Sequence, residues 1–238
     1  MRALIINGAA GEIGSKIASG CIEKGLFGRY ILLCRDAGRL PGGLADAEGV
    51  SVVGYEMSGV YGDESVIASE SLEGCDELDL VLSAFTIEPI RKAWEIGSGE
   101  LEANLKVNVL GQVRLINNCV RIAEEKGMKL RIVFIDSGAA YHPLKGWSLY
   151  CASKAYMDMY LRCVKEESGA DVVLYDPGVV DTGMQATIRE SSEDDFDRVE
   201  EFRGYKERGI LNSPMDVAEN IIERYLVSWT ATEITEEY

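Results

Sequence analysis

The sequence predicts an α/β fold, a single domain in which a doubly wound, mostly parallel sheet of about seven strands carries helices on both faces. Short runs rich in Val, Ile and Leu alternate with helical patterns, as in successive βαβ units. The chain has 238 residues, a length that one such domain commonly reaches. Neither an internal repeat nor a linker divides it, so we expect residues 1–238 to form one domain.

The apolar runs and helical patterns place the elements in order. Strands are predicted at residues 2–7, 30–34, 51–56, 79–84, 131–136 and 171–176. Helices are predicted from about Glu12 to Lys24, from Gly99 to Lys126, from Ser148 to Glu167 and over residues 214–226. The second helix follows from the helical spacing of Leu101, Leu105, Val109, Val113 and Ile116. A short last strand is predicted around residues 230–235.

Residues 184–209 are rich in acids and poor in apolar side chains, and we call them the acidic segment. One interpretation is a solvated, partly mobile surface. The other is a mobile lid on the substrate side of a nearby site, because lids come from regions of low stability. The sequence favours neither interpretation, and we carry the lid forward as an expectation.

Charge and composition restrict the partners. Lys and Arg number 24 against 40 Asp and Glu, and the net charge of −16 opposes binding to nucleic acid or to an anionic membrane. Apolar runs stay shorter than the ~20 residues of a membrane span, and the first strand begins too early for a signal peptide. We therefore expect a cytoplasmic protein.

Cysteine and histidine usage predicts no metal site. The six cysteines are scattered without a CxxC pair, so neither a zinc site nor a disulfide framework is indicated. The single histidine, His142, stands beside a proline. A loop position and a structural role are expected for it.

Residues 7–14, NGAAGEIG, follow the first strand and open the first helix. A glycine-rich turn there lets backbone N–H groups approach the pyrophosphate of a dinucleotide, as in Rossmann-type folds. Glu12 stands among these glycines, and we expect its side chain to turn toward solvent, since an inward carboxylate would repel a pyrophosphate.

The second strand ends in Cys34, Arg35 and Asp36, where such folds select their cofactor. A carboxylate there favours NAD and an arginine favours NADP. Both residue types are present, so the residues alone leave the choice open.

Tyr150 and Lys154 lie four residues apart on a predicted helix, one above the other. A nearby ammonium favours phenolate and so should lower the pKa of the tyrosine toward the range useful for proton transfer. Tyr141 and Lys145 share the spacing, but Pro143 between them would break a helix. Ser137 ends the preceding strand, where α/β sheets present catalytic groups.

With these residues in order, nearly the whole chain resembles the short-chain dehydrogenase/reductase family. The match consists of Tyr150-x-x-x-Lys154, Ser137 thirteen residues before the tyrosine, Asn108 in KVNVLG, and DPGVVDT at residues 176–182. Within the family the chain looks most like the sepiapterin reductase and benzil reductase group. The resemblance implies reduction of a ketone or vicinal diketone by NADPH.

The resemblance also implies roles for four catalytic residues. Tyr150 would protonate the developing alkoxide, and Ser137 would hold the carbonyl oxygen. Lys154 would lower the pKa of Tyr150 and hold the nicotinamide ribose, while Asn108 would orient a water that relays protons. Trp147 and Tyr141 are candidates for packing an aromatic substrate, although an ordinary core or rim position fits them equally well.

Family positions extend the resemblance to the cofactor. Cys34 stands where NAD-preferring members carry an acid and Arg35 where NADP-preferring members carry a base, so NADP is expected. The implied cofactor-binding residues are Gly8, Ala10, Gly11, Ile13, Gly14, Arg35, Ala84, Tyr150, Lys154, Pro177, Gly178, Val180 and Thr182. Relatives pair through their two long helices, which implies a homodimer, with a tetramer as the larger alternative.

Two segments depart from the family pattern. Leu82-Ser83-Ala84-Phe85 stands where most members carry NNAG, so Phe85 replaces a glycine close to the cofactor. Glu12 stands in the middle glycine position of the first loop. These departures keep an alternative open, namely an NADP(H)-binding redox sensor or interaction protein with little turnover.

Overall fold

A computed structural model describes residues 1–59, 66–231 and 234–238. Its strands are β1 (Arg2–Asn7), β2 (Arg29–Cys34), β3 (Val50–Gly54), β4 (Glu77–Leu82), β5 (Lys129–Ile135), β6 (Asp171–Asp176) and β7 (Thr235–Glu237). Its helices are α1 (Glu12–Glu23), α2 (Ser98–Leu105), α3 (Gly111–Lys126), α4 (Ser148–Ser168), α5 (Gly183–Glu190), α6 (Val199–Glu207) and α7 (Pro214–Ile221). Residues 232 and 233 of the predicted last strand lie outside the described residues.

The described strands form one parallel sheet in the order β3-β2-β1-β4-β5-β6-β7, which confirms the predicted fold class. Side chains alternate between its faces. Ile5 and Leu80 join the core under α3 and α4, whereas Leu4 and Val81 join the core under α1 and α7. The strand order reverses between β1 and β4, and ligands of such sheets bind at the carboxyl ends there.

The predicted helix from Gly99 to Lys126 is confirmed, because α2, a π-helical turn and α3 follow one another without a break, but the change of hydrogen-bond pattern within it was not predicted. A π-helical turn, Lys106–Leu110, separates α2 from α3. Asn108 in this turn is fully buried, and its side-chain amide bonds the main chain of Thr86 twice, which ties the turn to the loop after β4. A second π-helical turn, Ile222–Val227, follows α7. No helix within the described residues has both the length and the apolar character of a membrane span.

The acidic segment contains α5 and α6 and is more apolar in its contacts than its composition suggests. Phe196, Val199 and Phe202 are buried and pack against Trp147. The described conformation therefore docks the segment onto the start of α4. Whether it opens as a lid stays a prediction.

Candidate active site

Two cavities open at the carboxyl edge of the sheet among the described residues. The large cavity, about 1300 Å³, contains Gly8, Ala10, Gly11, Arg35 and Ala84 of the predicted cofactor residues. The small cavity, about 460 Å³, brings together predicted residues of both kinds: Gly11, Ile13, Gly14, Ser137, Tyr150, Lys154, Pro177, Gly178, Val180 and Thr182. Gly11, Ser83 and Phe85 line both cavities, so the two meet at the glycine loop.

The glycine loop is a tight turn that glycines alone permit. Gly8 has a φ of +83°, and its N–H donates to the Leu33 carbonyl at 3.1 Å. A Cβ on Gly14 would stand 2.4 Å from the Gly8 oxygen. The N–H groups of the first turn of α1 have no carbonyl partner within the helix, and this turn lines the small cavity. The loop therefore fits a bound phosphate group.

Glu12 begins α1 with its side chain exposed, as expected, but the sequence did not predict that its carboxylate has a partner. Its exposed carboxylate accepts a hydrogen bond of 2.6 Å from the N–H of Gly183, the first residue of α5. A carboxylate at the positive end of a helix is stabilised there. Glu12 thus connects the glycine loop to the acidic segment.

The end of β2 presents arginines to the large cavity. Arg35 is exposed and pairs weakly with Glu56, with 4.0 Å between Nε and Oε2. Asp36 accepts a hydrogen bond of 2.9 Å from the Gly38 N–H, so its carboxylate caps a local turn. Arg39, which sequence reasoning missed, also lines this cavity. Two guanidinium groups and a locally engaged Asp36 fit an additional phosphate better than they fit a bare ribose.

Ser137 follows β5, and Tyr150 lies in the first turn of α4, where the two side chains hydrogen-bond each other. Tyr150 is buried. Burial raises the pKa of Tyr150 above its ordinary value, and the hydrogen bond from Ser137 opposes this only in part. The expected lowering of the Tyr150 pKa is therefore wrong, because burial and the nearby carboxylates of Asp136 and Asp176 all act to raise it.

Lys154 is 2% exposed, and its ammonium donates to the Ile135 carbonyl. Nζ lies 3.8 Å from the ring centroid of Phe85 and 4.5 Å from that of Phe134. Burial lowers the pKa of Lys154 to about 8, while the carboxylates of Asp136 and Asp176 act in the opposite direction. Phe85, which departs from the family pattern, therefore provides an aromatic face for the ammonium.

Asn108 lines neither cavity within the described residues, and both polar atoms of its side chain bond Thr86. Its amide thus positions the loop that leads to Phe85. The water relay implied by the family resemblance stays a prediction.

Residues 177–182 form the rim of the small cavity opposite α1. Gly178 has a φ of +65°, which favours glycine at this turn. Asn212 holds the segment with its side-chain amide on the Pro177 carbonyl at 2.9 Å and with main-chain bonds to Val179 and Asp181. Sequence reasoning missed Asn212, because it lies far from residues 177–182 in the sequence and no local pattern identifies it as their partner.

The remaining wall of the small cavity is largely apolar and includes Ile87, Leu144, Trp147, Val179, Met184, Ile188 and Phe202. Trp147 stacks on Phe196 with 4.7 Å between ring centroids and meets the Tyr150 ring edge-on at 5.7 Å. Trp147 therefore belongs to both the cavity wall and the core. Tyr141 lines neither cavity in the described part of the chain, and its hydroxyl bonds Asp136 and Asp158 instead.

Comparisons with known proteins agree with this geometry. A family model described as short chain dehydrogenase matches residues 2–193. The chain is 32% identical over 227 residues to a benzil reductase, (S)-benzoin forming, of Bacillus subtilis, covering 93% of this chain and 92% of the relative. A benzil reductase of Bacillus cereus is 29% identical over 93% of this chain and 92% of its own length. The crystal structure of the KRED1-Pglu enzyme superposes with a TM-score of 0.81 at 19% identity, covering 100% of both chains.

Proposed function

Since the chain belongs to the short-chain dehydrogenase/reductase family, we propose that it is an NADPH-dependent reductase of ketones or vicinal diketones. One observation carries the proposal. Ser137, Tyr150 and Lys154 converge on a cavity whose other end is the glycine loop at the start of α1. This arrangement supports Tyr150 as a proton donor, Ser137 as a hydrogen-bond donor for an oxyanion and Lys154 as a buried cation, next to a turn that fits a phosphate group.

NADP(H) is the proposed cofactor, and its reduced form, NADPH, would supply the hydride for the carbonyl carbon and leave as NADP⁺. The first turn of α1 would hold its pyrophosphate. Arg35 and Arg39 in the large cavity would bind the 2′-phosphate, since guanidinium groups match phosphate geometry. Val180 and Thr182, held by Asn212 at the rim, would contact the carboxamide.

Tyr150 acts as the general acid in the proposed mechanism. Its hydroxyl gives its proton to the carbonyl oxygen as negative charge develops there, which leaves a phenolate. Ser137 hydrogen-bonds the same oxygen, and this contact strengthens as the charge builds. The buried ammonium of Lys154 stabilises the phenolate, and water is excluded by the aromatic rings around both groups.

The small cavity supports an apolar carbonyl substrate. Its volume of about 460 Å³ lies within the usual range for small-molecule sites, and Trp147 and Phe202 provide aromatic contact surface. Two relatives covering more than nine-tenths of this chain are named as benzil reductases. We infer that ketones or vicinal diketones with an aromatic group next to the carbonyl are preferred.

A homodimer is the proposed assembly. Leu101 and Leu105 on α2, Leu110 in the π-helical turn, and Tyr156 and Met159 on α4 are exposed. A second copy covering these surfaces would remove their apolar area from water. All six cysteines are free thiols, which supports a reducing compartment such as the cytoplasm.

The proposal is tested with purified protein, NADPH and a panel of aryl diketones, pterins and quinones. Oxidation of NADPH is followed by its absorbance, and Tyr150→Phe serves as the matched control. We expect carbonyl-dependent oxidation by the wild type that falls by two or more orders of magnitude in the variant, as for a lost general acid. Binding of NADPH without oxidation above the Tyr150→Phe rate would contradict the reductase and favour a redox sensor.

A further inference from the structure

Two aspartates and a tyrosine form a hydrogen-bonded row of side chains near Lys154. The hydroxyl of Tyr141 lies 3.2 Å from Oδ2 of Asp136 and also within hydrogen-bond distance of Oδ2 of Asp158. Asp136 is 3% exposed and Asp158 is 7% exposed, whereas Tyr141 is 47% exposed. Arg162 pairs with Asp158 at 2.6 Å. The row of hydrogen-bonded side chains thus connects a buried carboxyl group to a tyrosine at the surface.

The number of hydrogens limits which of these hydrogen bonds can form at the same time. A tyrosine hydroxyl has one hydrogen and can donate to only one of the two carboxyl groups. Asp158 is also paired with the Arg162 guanidinium. The single hydrogen of Tyr141 can therefore turn to Asp136 when that group is ionised, and there it stabilises the Asp136 carboxylate. Burial raises the pKa of Asp136 to about 6, so this ionisation falls near neutral pH.

Asp136 lies beside Lys154. The Lys154 ammonium donates to the carbonyl of Ile135, the residue immediately before Asp136, and both side chains line the small cavity. The other oxygen of Asp136, Oδ1, is buried without a hydrogen-bond partner among the described residues. A buried and incompletely bonded carboxyl group next to a buried ammonium exerts a strong electrostatic effect on it.

The charged and titratable groups around Asp136 come from several elements. Lys154, Asp158 and Tyr150 face it from α4, Tyr141 from the turn after β5, and Asp176 at the end of β6 acts on the same lysine and tyrosine. Lys154 is the cation in this set, with Arg162 already engaged by Asp158. The charge of Asp136 is therefore felt chiefly by Lys154.

We propose that Asp136 is a positioning residue for Lys154, and that the hydrogen shared by Tyr141 between Asp136 and Asp158 sets the pH above which the Asp136 carboxylate supports this ammonium. When Asp136 is ionised, its carboxylate holds Lys154 as an ammonium. When Asp136 takes up a proton, that support is removed and the ammonium loses its proton more readily. The catalytic meaning rests on the proposed function, but the electrostatic coupling does not.

The test follows the Lys154 side-chain nitrogen by NMR in protein labelled with ¹⁵N-lysine, without cofactor or substrate, and Lys154→Arg assigns the signal. In the wild type we expect two transitions, a small one near pH 6 from Asp136 and a larger one near pH 8 from Lys154 itself. In Asp136→Asn the first transition disappears and the second moves down by about one pH unit or more. Asp171→Asn, which removes a carboxylate at the opposite end of β6, should change neither.

A second variant keeps the proposal open to refutation if Asp136→Asn does not fold. Tyr141→Phe removes the hydroxyl that stabilises the ionised form of Asp136, so the first transition should move up while the second stays in place. The proposal is overturned if Asp136→Asn leaves the second transition at its wild-type pH, or if Tyr141→Phe leaves the first unchanged. Because the titration needs no turnover, its failure is distinct from failure of the reductase assignment.

Discussion

Replacing Phe85 by Leu should make the stability of the protein more dependent on pH. The substitution keeps an apolar side chain but removes the aromatic face that lies 3.8 Å from the Lys154 ammonium. A desolvated cation over a ring is stabilised by about 2 kcal/mol, and each pKa unit corresponds to about 1.4 kcal/mol. The pKa of Lys154, already lowered by burial to about 8, should therefore fall by roughly 1.5 pH units more.

The sign of the effect follows from proton linkage. The folded-state pKa of Lys154 lies below its ordinary value, so the unfolded chain binds more protons and stability rises with pH between the two values. In Phe85→Leu this window begins at a lower pH. The variant should lose about 2 kcal/mol relative to wild type near pH 6, and this part of the loss should vanish near pH 9, where Lys154 is neutral in both proteins.

Urea unfolding at these two pH values measures the difference, and a pH-independent loss from altered packing is expected in addition. Phe196→Leu is the matched control, because its ring is fully buried and stacks on Trp147. That variant should be destabilised equally at both pH values. An equal loss for Phe85→Leu at both pH values would refute the assigned contact between ring and ammonium.

Three further variants test the residues around the proposed cofactor site. Arg35→Ala should weaken binding of NADPH by about 1.5–3 kcal/mol and binding of NADH much less, as measured by fluorescence titration; equal losses would contradict the NADP assignment. Glu12→Ala should raise the rate of amide hydrogen exchange in the acidic segment by up to about fivefold, because a carboxylate at an exposed helix N-terminus contributes up to about 1 kcal/mol. The control Glu23→Ala, on the same helix, should leave this rate unchanged. Gly14→Ala should lower both the melting temperature and NADPH affinity, because its Cβ would stand 2.7 Å from the Ser83 hydroxyl, whereas Gly99→Ala, with open space around it, should be neutral or stabilising.

Periodicity and apolar runs were sufficient to predict the sheet and the placement of most helices. The strands are buried on both faces and read as continuous Val, Ile and Leu runs, so their positions follow from local sequence. The π-helical turn at Asn108 was missed because its cause is not local. Two bonds to the main chain of Thr86 hold it, and that partner lies 22 positions earlier in the chain.

Long-range contacts also explain what the site prediction missed. Glu12 is exposed as expected, but the bond of its carboxylate to Gly183, which lies 171 positions away, was not predicted. The raised pKa of Tyr150 depends on burial by aromatic side chains from several elements, including Phe85 and Trp147. Motif spacing predicts which residue types share an element, whereas desolvation and bonds between distant segments require the fold.

The same limit applies to the acidic segment. Its composition indicates a solvated surface, but three apolar side chains placed on one side of its turns dock against Trp147. A few apolar residues are enough to dock this segment, because they contact an aromatic side chain that the sequence pattern does not identify as their partner. The docked conformation closes one wall of the small cavity, through contacts that the average composition of the segment does not indicate.

The central claim is that Tyr150 and a bound nicotinamide reduce a carbonyl in the small cavity. The most direct measurement uses NADPH carrying deuterium at the transferable position, with benzil as substrate and mass spectrometry of the product. The account predicts benzoin with one deuterium on the carbinol carbon for the wild type, and almost none for Tyr150→Phe at equal NADPH occupancy. Unlabelled product, no product, or equal product from both proteins would contradict it.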